Sequence, residues 1–328
     1  MLYSVPGHII VCNHSIQLGS MNSPVYSQLI DRYPVYKQLT HHKQNNKYNT
    51  LHAAHRGARY QQYTENTIQS YNYAVLQCGC DILEIDLCYT KDNIIVLTHD
   101  HTFTLPDNPD NTYNIQYLTY NQLNKLHNRQ HYTISKQLVN ESDMNESFVT
   151  LEQLLIHVTT VYDTERSDQL ITLYLDYKMI GAIEPSIQLL QQYNMLHRVI
   201  MGAVDHQVNQ QIKLCIPKNI PLCADIESMQ QLTQHWLTNH TLHTYQFTHD
   251  IVGYFVEADT ASGTNQSSIV TYEFVNELHK HSKPIFCVGE LCDDKNKQIE
   301  LIELGVDCLF VDQPRLLSDT LQSMNQHE

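Results

Sequence analysis

The chain has 328 residues, in which 20 lysines and arginines stand against 35 aspartates and glutamates, a formal charge of −15. That length suits one large domain such as a barrel, while the negative charge repels nucleic-acid phosphates and gives anionic lipid nothing to hold; any phosphate-bearing partner needs a metal or a few placed cations. Nine cysteines, scattered through apolar runs such as "DCLF" and "IFCV" without a CxxC pair, read as reduced, buried thiols of an intracellular, cytoplasmic protein.

The opening "MLYSVPGHIIVCNHSIQL" lacks a basic region, and Pro6, Gly7 and His8 break its short apolar stretch, so neither a signal peptide nor an anchor is expected. No later segment approaches the roughly 18 apolar residues of a spanning helix, so no transmembrane segment is expected. Residues 1–50 read as an N-terminal extension in which "SPVYSQLIDRYPVYKQL" holds short helices interrupted by Pro34, before the polar "THHKQNNKYN". Without a secretory signal, the sequons at Asn140 and Asn145 are expected to stay unglycosylated.

From residue 51 the texture is regular. Nine short apolar runs follow, "LHAAHRG", "CDILEIDLCYT", "IIVLTHD", "LITLYLDYK", "RVIMGAV", "IPLCADI", "DIVGYFVEAD", "KPIFCVGEL" and "VDCLFVDQP". Helical patterns lie between many of them. One places Ile68, Tyr71, Val75 and Cys78 at helical spacing and stops at Gly79; others are "TLEQLLIHVTTVY" and "KQIELIELG". Strands alternating with helices predict an α/β fold, a TIM-type (β/α)8 barrel over residues 51–328. Such a barrel needs one strand fewer than the nine runs, and "VGYFVEAD" is the weakest of them.

The run "LEIDL" puts Glu84 and Asp86 on one face of a strand and Leu83, Ile85 and Leu87 on the other. On an isolated sheet that is a solvated face. In a barrel whose leucines pack under the helices, both acids point inward and need a cation. "LYLDYK" repeats the arrangement with Tyr174, Asp176 and Lys178 on one face. Taken alone, Asp176 and Lys178 read as a structural ion pair; beside Glu84 and Asp86, the acids make a site for a hard divalent cation, magnesium or calcium. Two of the 20 histidines, His55 and His99, end predicted strands beside the charged residues Arg56 and Asp100. A histidine pair beside a cation can act as acid and base on a phosphodiester.

At this point the motifs "HRG", "ENT", "LEIDLCYTKDNIIVLTHD", "LYLDYK" and "LIELGVDCLFVDQP", in this order, resemble the signature of the glycerophosphodiester phosphodiesterases over about residues 51–318. The resemblance implies that His55 and His99 are the acid/base pair, that Arg56 and Lys178 meet the phosphate, and that Glu84, Asp86 and Asp176 hold the divalent metal. It places Glu65 near the metal, although a helix start would also favour an acid there. It further implies hydrolysis of a small-molecule glycerophosphodiester, such as glycerophosphocholine, to an alcohol and glycerol phosphate. Lysophospholipase D or sphingomyelinase D-like action on a lysophospholipid or sphingomyelin stands as an alternative, and a silent barrel that binds phospholipid head groups or a protein as another.

The chain departs from the family in three places. Asp176 replaces the usual glutamate, Thr64 replaces the proline before "ENT", and "CVGE" at Cys287 to Glu290 replaces a tryptophan-bearing run. The last is expected to open the pocket to one acyl chain and to make Cys287→Trp favour the small substrate. The stretch after His99 is expected to form a loop near the site, where Phe103, Leu105, Tyr113 and Tyr117 either contact the chain or pack the loop onto the barrel.

Overall fold

The computed structural model describes residues 29–41, 46–59, 63–105, 108–127, 148–256 and 269–326. Strands Leu51–Ala54 (β1), Ile82–Tyr89 (β2) and Ile95–Leu97 (β3) come first, then the hairpin Thr102–Leu105 (β4) and Asn108–Asn114 (β5). Thr172–Tyr177 (β6), Val199–Gly202 (β7), Val252–Phe255 (β8), Ile285–Val288 (β9) and Cys308–Val311 (β10) follow. Seven of them form a parallel curled sheet in the order β7-β6-β2-β1-β10-β9-β8. Its two ends are joined by Leu222 and Cys223, which bridge in parallel to Met201 and Ile251. Cys223 N–H donates to the Met201 carbonyl, and Ala224 N–H to that of Ile251, both at 2.9 Å. That segment is the eighth stave of a (β/α)8 barrel.

Two runs change places relative to the sequence reading. "VGYFVEAD" supplies β8, a true stave in parallel register with β9. "IIVLTHD" supplies β3, which is antiparallel to β2 through Leu87↔Leu97 and stands outside the ring. The turn at Asn93, in the left-handed region at φ 61°, is far too short for the crossover that a parallel neighbour requires.

Each stave is apolar on the side facing the helices. Leu83, Ile85 and Leu87 of β2 join Leu173 and Leu175 of β6 in one outer core, and Val252, Ile285 and Leu309 lie in another. Helix starts are fixed by side-chain caps, among them Thr67, Asp205, Asp225 and a Thr150/Gln153 capping box. The other end of the lumen is filled from the N-terminal side. Residues 29–32 are helical, the helix Pro34–His41 restarts at Pro34, and Tyr33, Val35 and Tyr36 pack with Leu51, Ile82 and Ile200 at the strand starts. Tyr33 donates its hydroxyl hydrogen to the Asp250 carboxylate.

No helix among the described residues is long and apolar enough to cross a membrane. The eight described cysteines are free, and all but Cys215 are buried. Residues 1–28 and the sequons at Asn140 and Asn145 lie outside the described residues.

Candidate active site

The C-terminal ends of the staves surround a cavity of about 800 Å³ lined by His55, Arg56, Glu84, His99, Asp176 and Lys178. His55 and Arg56 follow β1, Glu84 and Asp86 belong to β2, His99 follows β3, Asp176 is the last but one residue of β6, and Lys178 follows that strand. Asp86 and Asp176 are direct cross-strand partners, so the alternation of both strands aims them into one space.

The "HRG" turn is built by backbone conformation. Arg56 and Gly57 are both left-handed, at φ 57° and 90°, and a Cβ on Gly57 would lie 2.1 Å from the Ser70 hydroxyl. Only glycine fits there. The turn points the Arg56 N–H at Glu84 Oε2, 2.7 Å away. The Arg56 guanidinium lies 3.3 Å from both oxygens of Glu65 and 3.4 Å from Asp86.

Asp86 is held from several sides. Asn66, left-handed at φ 57°, donates from Nδ2 to Asp86 Oδ2 at 2.8 Å and accepts the Asp86 N–H at 3.2 Å. Tyr71 donates its hydroxyl to the same Asn66 carbonyl oxygen at 2.8 Å. Lys178 Nζ lies 2.9 Å from Asp86 and 2.6 Å from Asp176. Burial alone would raise the Asp86 carboxyl, but Lys178 and Arg56 overcome it and hold Asp86 below the usual range. Glu84 goes the other way, because burial and then the charges of Asp86 and Asp176 push it well above the usual range. Burial likewise raises Glu65, against the pull of Arg56.

Carboxylate oxygens of Glu84, Asp86 and Asp176 lie within 4.8 Å of one another, and all three residues are buried. Asp176 Oδ1 is buried with no hydrogen-bond partner among the described residues. Three converging hard oxygen donors, one of them unsatisfied, fit a hard divalent cation. Glu65 stands outside this triad and braces Arg56 and Arg59.

His55 Nδ1 is 2.8 Å from Asp312 Oδ1, and His99 Nδ1 is 2.8 Å from Asp100 Oδ1. Asp312 also receives Arg59 Nε at 3.0 Å, and its own N–H donates to Asp293 Oδ2 at 3.1 Å. Burial and the neighbouring Asp312 raise the Asp293 carboxyl to about 7, against the backbone hydrogen bonds it accepts. Sequence reasoning missed Asn66, Arg59, Asp312 and Asp293. The first and third lie within the "ENT" and "DQP" motifs, which carried the signal without showing what those side chains touch.

The expectation built on Cys287 is overturned, and of the two readings of the stretch after His99 the structure takes the packing one. Strand β9 turns Phe286 and Val288 toward the cavity and Cys287 outward, so the cysteine opens no wall. The lumen keeps its aromatics, with the Phe310 ring 5.0 Å from Tyr174 and 5.9 Å from Phe286. In the hairpin after His99, Phe103 stacks on Tyr113 at 5.6 Å, Leu105 is buried and Tyr117 is 70% exposed. None of these four lines the cavity.

The sequence pattern of the glycerophosphoryl diester phosphodiesterase family matches residues 55–316. The fold is similar to that of the glycerophosphoryl diester phosphodiesterase domain of a Mycobacterium tuberculosis protein, with 15% identity, a TM-score of 0.62, and coverage of 82% of this chain and 98% of that one. An Oleispira antarctica phosphodiesterase, solved in complex with the product sn-glycerol-3-phosphate, gives 16% identity and a TM-score of 0.56 over 82% of this chain and 96% of that one. Among curated proteins, lysophospholipase D GDPD1 of Homo sapiens is 36% identical over 76 residues, 23% of this chain and 23% of that protein. The match therefore spans less than a quarter of that relative.

Proposed function

Because the chain belongs to the glycerophosphoryl diester phosphodiesterase family, we propose that it is a phosphoric diester hydrolase dependent on magnesium or calcium. It splits a glycerophosphodiester into an alcohol and glycerol phosphate. The observation that carries this reading is the buried triad Glu84, Asp86 and Asp176 in the same barrel mouth as His55 and His99.

Each imidazole has its Nδ1 engaged by a carboxylate, which orients the ring and leaves Nε2 to exchange a proton. One histidine takes the proton from the attacking water or substrate hydroxyl, and the other delivers one to the leaving oxygen. Arg56 and Lys178 bring positive charge to the phosphoryl oxygens. A bound cation would add Lewis-acid polarisation of a phosphoryl oxygen.

The 76-residue likeness to lysophospholipase D GDPD1 favours a second reading, removal of the head group from a lysophospholipid. The test is a panel of glycerophosphocholine and lysophosphatidylcholine, assayed after EDTA and after restoring magnesium or calcium. Activity should vanish with EDTA and return with the cation, and His55→Ala or His99→Ala should each lower kcat at least about a hundredfold. Turnover indifferent to EDTA, or wild-type rates in either variant, refutes the assignment.

A further inference from the structure

Asp312, which engages the His55 ring, is itself held from behind. The short turn of 3-10 helix Glu290–Asp293 follows β9, and both carboxylate oxygens of Asp293 are committed to the chain just past β10. Oδ2 accepts the Asp312 N–H at 3.1 Å, and Oδ1 accepts the Gln313 N–H at 2.7 Å. His55 donates its own backbone N–H to the Val311 carbonyl at 2.9 Å. One carboxylate thus fixes the backbone that carries the partner of the His55 imidazole.

The turn is shaped to bring that carboxylate there. Gly289 lies at φ 132°, and a Cβ on it would stand 2.5 Å from the Val256 carbonyl oxygen, so only glycine lets the chain pass this close to the end of β8. Leu291 N–H donates to the same carbonyl at 3.1 Å, and Gln298 Nε2 donates to the Cys292 carbonyl at 2.8 Å. Asp293 ends half-buried in the cavity wall.

Its surroundings do not favour a second negative charge. Burial and the neighbouring Asp312 push Asp293 up, against its backbone hydrogen bonds and Arg59. Arg59, from the loop after β1, is shared with Glu65 and Asp312. Lys297, on the helix Lys295–Glu303, is paired with Glu300 at 2.7 Å. Glu290 and Asp294 are further acids in and beside the turn, and β9 adds no charge, because burial pushes the Cys287 thiol up.

We propose that Asp293 is a positioning residue for the hydrolysis: by holding the Asp312 and Gln313 N–H groups, it aims the Asp312 carboxylate at His55 Nδ1. This rests on the phosphodiesterase reading of the same barrel mouth. The ionised carboxylate accepts both N–H groups, whereas the protonated acid turns one oxygen into a donor and loosens one of them.

The experiment compares Asp293→Asn, which keeps the shape and one acceptor oxygen, with the wild type on glycerophosphocholine at saturating cation. At about pH 8, kcat should fall about twofold to tenfold, the equivalent of one backbone hydrogen bond, with KM nearly unchanged. The ratio of the two rates should shrink toward one as the pH falls through about 7, where protonation leaves the wild type with the same single acceptor. Effects of the titration of His55 and His99 are common to both proteins and cancel in the ratio. Adding Asp293→Asn to Asp312→Asn should cost nothing further. Asp294→Ala is the structural control: it removes the acceptor of the Lys297 N–H, 2.9 Å away, that caps the next helix, and should lower the melting temperature while its rate ratio to the wild type stays level with pH.

The role is overturned if the Asp293→Asn ratio is as level as that of the control. It is also overturned if KM rises while kcat holds, which would put Asp293 on the substrate. Proton NMR of the His55 Nδ1 hydrogen, identified by its loss in His55→Ala, reads the same contact without turnover. A shift of that signal in Asp293→Asn but not in Asp294→Ala supports the role even if no diester is cleaved, an outcome that refutes only the phosphodiesterase reading. An unmoved signal overturns the role and leaves that reading standing.

Discussion

The Asp312–His55 contact gives a sharp test of how the site works. Asp312→Asn keeps the shape of the side chain and removes its charge. At the 2.8 Å separation and an effective dielectric of about 20, a fully charged pair would attract by about 6 kcal/mol. That gain is reduced because Arg59 draws on the same carboxylate at 3.0 Å and because the charges are partly desolvated. A charge-assisted hydrogen bond nets about 1.5–3 kcal/mol, which corresponds to a loss of about tenfold to about 150-fold in kcat. Removing the imidazole should cost more, up to about ten-thousandfold. Steady-state kinetics on glycerophosphocholine with saturating cation should therefore show kcat reduced in Asp312→Asn with KM nearly unchanged. The deciding measurement is the double variant. If Asp312 acts by orienting His55, adding Asp312→Asn to His55→Ala should cost nothing further. A second, independent loss in that background, or a single-variant effect below about threefold, would refute the relay.

Three further outcomes follow from the structure. Cys287→Trp should lower stability by at least about 3 kcal/mol, since it forces a large ring into the outer core; a melting temperature like that of the wild type would mean that β9 is in another register. Asn66→Ala should cost about 2–4 kcal/mol in urea unfolding, from left-handed strain and the lost bonds to Asp86, and a loss below about 1 kcal/mol would deny Asn66 that role. His249, buried against Asn209 at 3.0 Å and Asp225 at 3.6 Å, is lowered by burial to about 4 from the ordinary 6.5. The unfolded chain binds the extra proton across that window, so stability should rise with pH from about 4 to 6.5, by up to about 3 kcal/mol. His249→Gln should lose that part of the pH slope, and identical slopes for the two proteins would exclude the histidine as its source.

What could be read in the sequence was set by period and by chemistry. Alternation along "LEIDL" and "LYLDYK" was enough to put Glu84 with Asp86, and Asp176 with Lys178, on one face of their strands, and the barrel expectation turned that face inward. The same rule, applied to "IFCV", would have turned Cys287 outward between Phe286 and Val288; matching it to a family tryptophan hid its own phase. The exchange between β3 and β8 was also a matter of chain length. Only five residues separate Tyr89 from Ile95, which rules out a parallel crossover and makes β3 a hairpin partner. Asn66 and Asp312 were beyond pattern alone, because what they contact depends on β2 and β1 meeting them in space.

On the proposed function, the electrostatics of the mouth set the terms on which so acidic a chain holds a phosphodiester. Arg56 is engaged by Glu65 and Asp86, Arg59 by Glu65 and Asp312, and Lys178 by Asp86 and Asp176. Five carboxylates, with Glu84 included, thus surround three cations, and no positive charge is in excess for an incoming phosphate. Burial and the charges of Asp86 and Asp176 push the Glu84 carboxyl well above its usual range, and an incoming anion would meet the same crowding of negative charge. A divalent charge on the triad, held by ionised Glu84, Asp86 and Asp176, would cancel the excess of negative charge and release Lys178 and Arg56 from part of their hold on the acids. Cation and substrate are therefore coupled through the same carboxylates, so the cation requirement belongs in KM as well as in kcat. On that reading, the buried acids of an otherwise apolar strand make phosphate binding conditional on the cation.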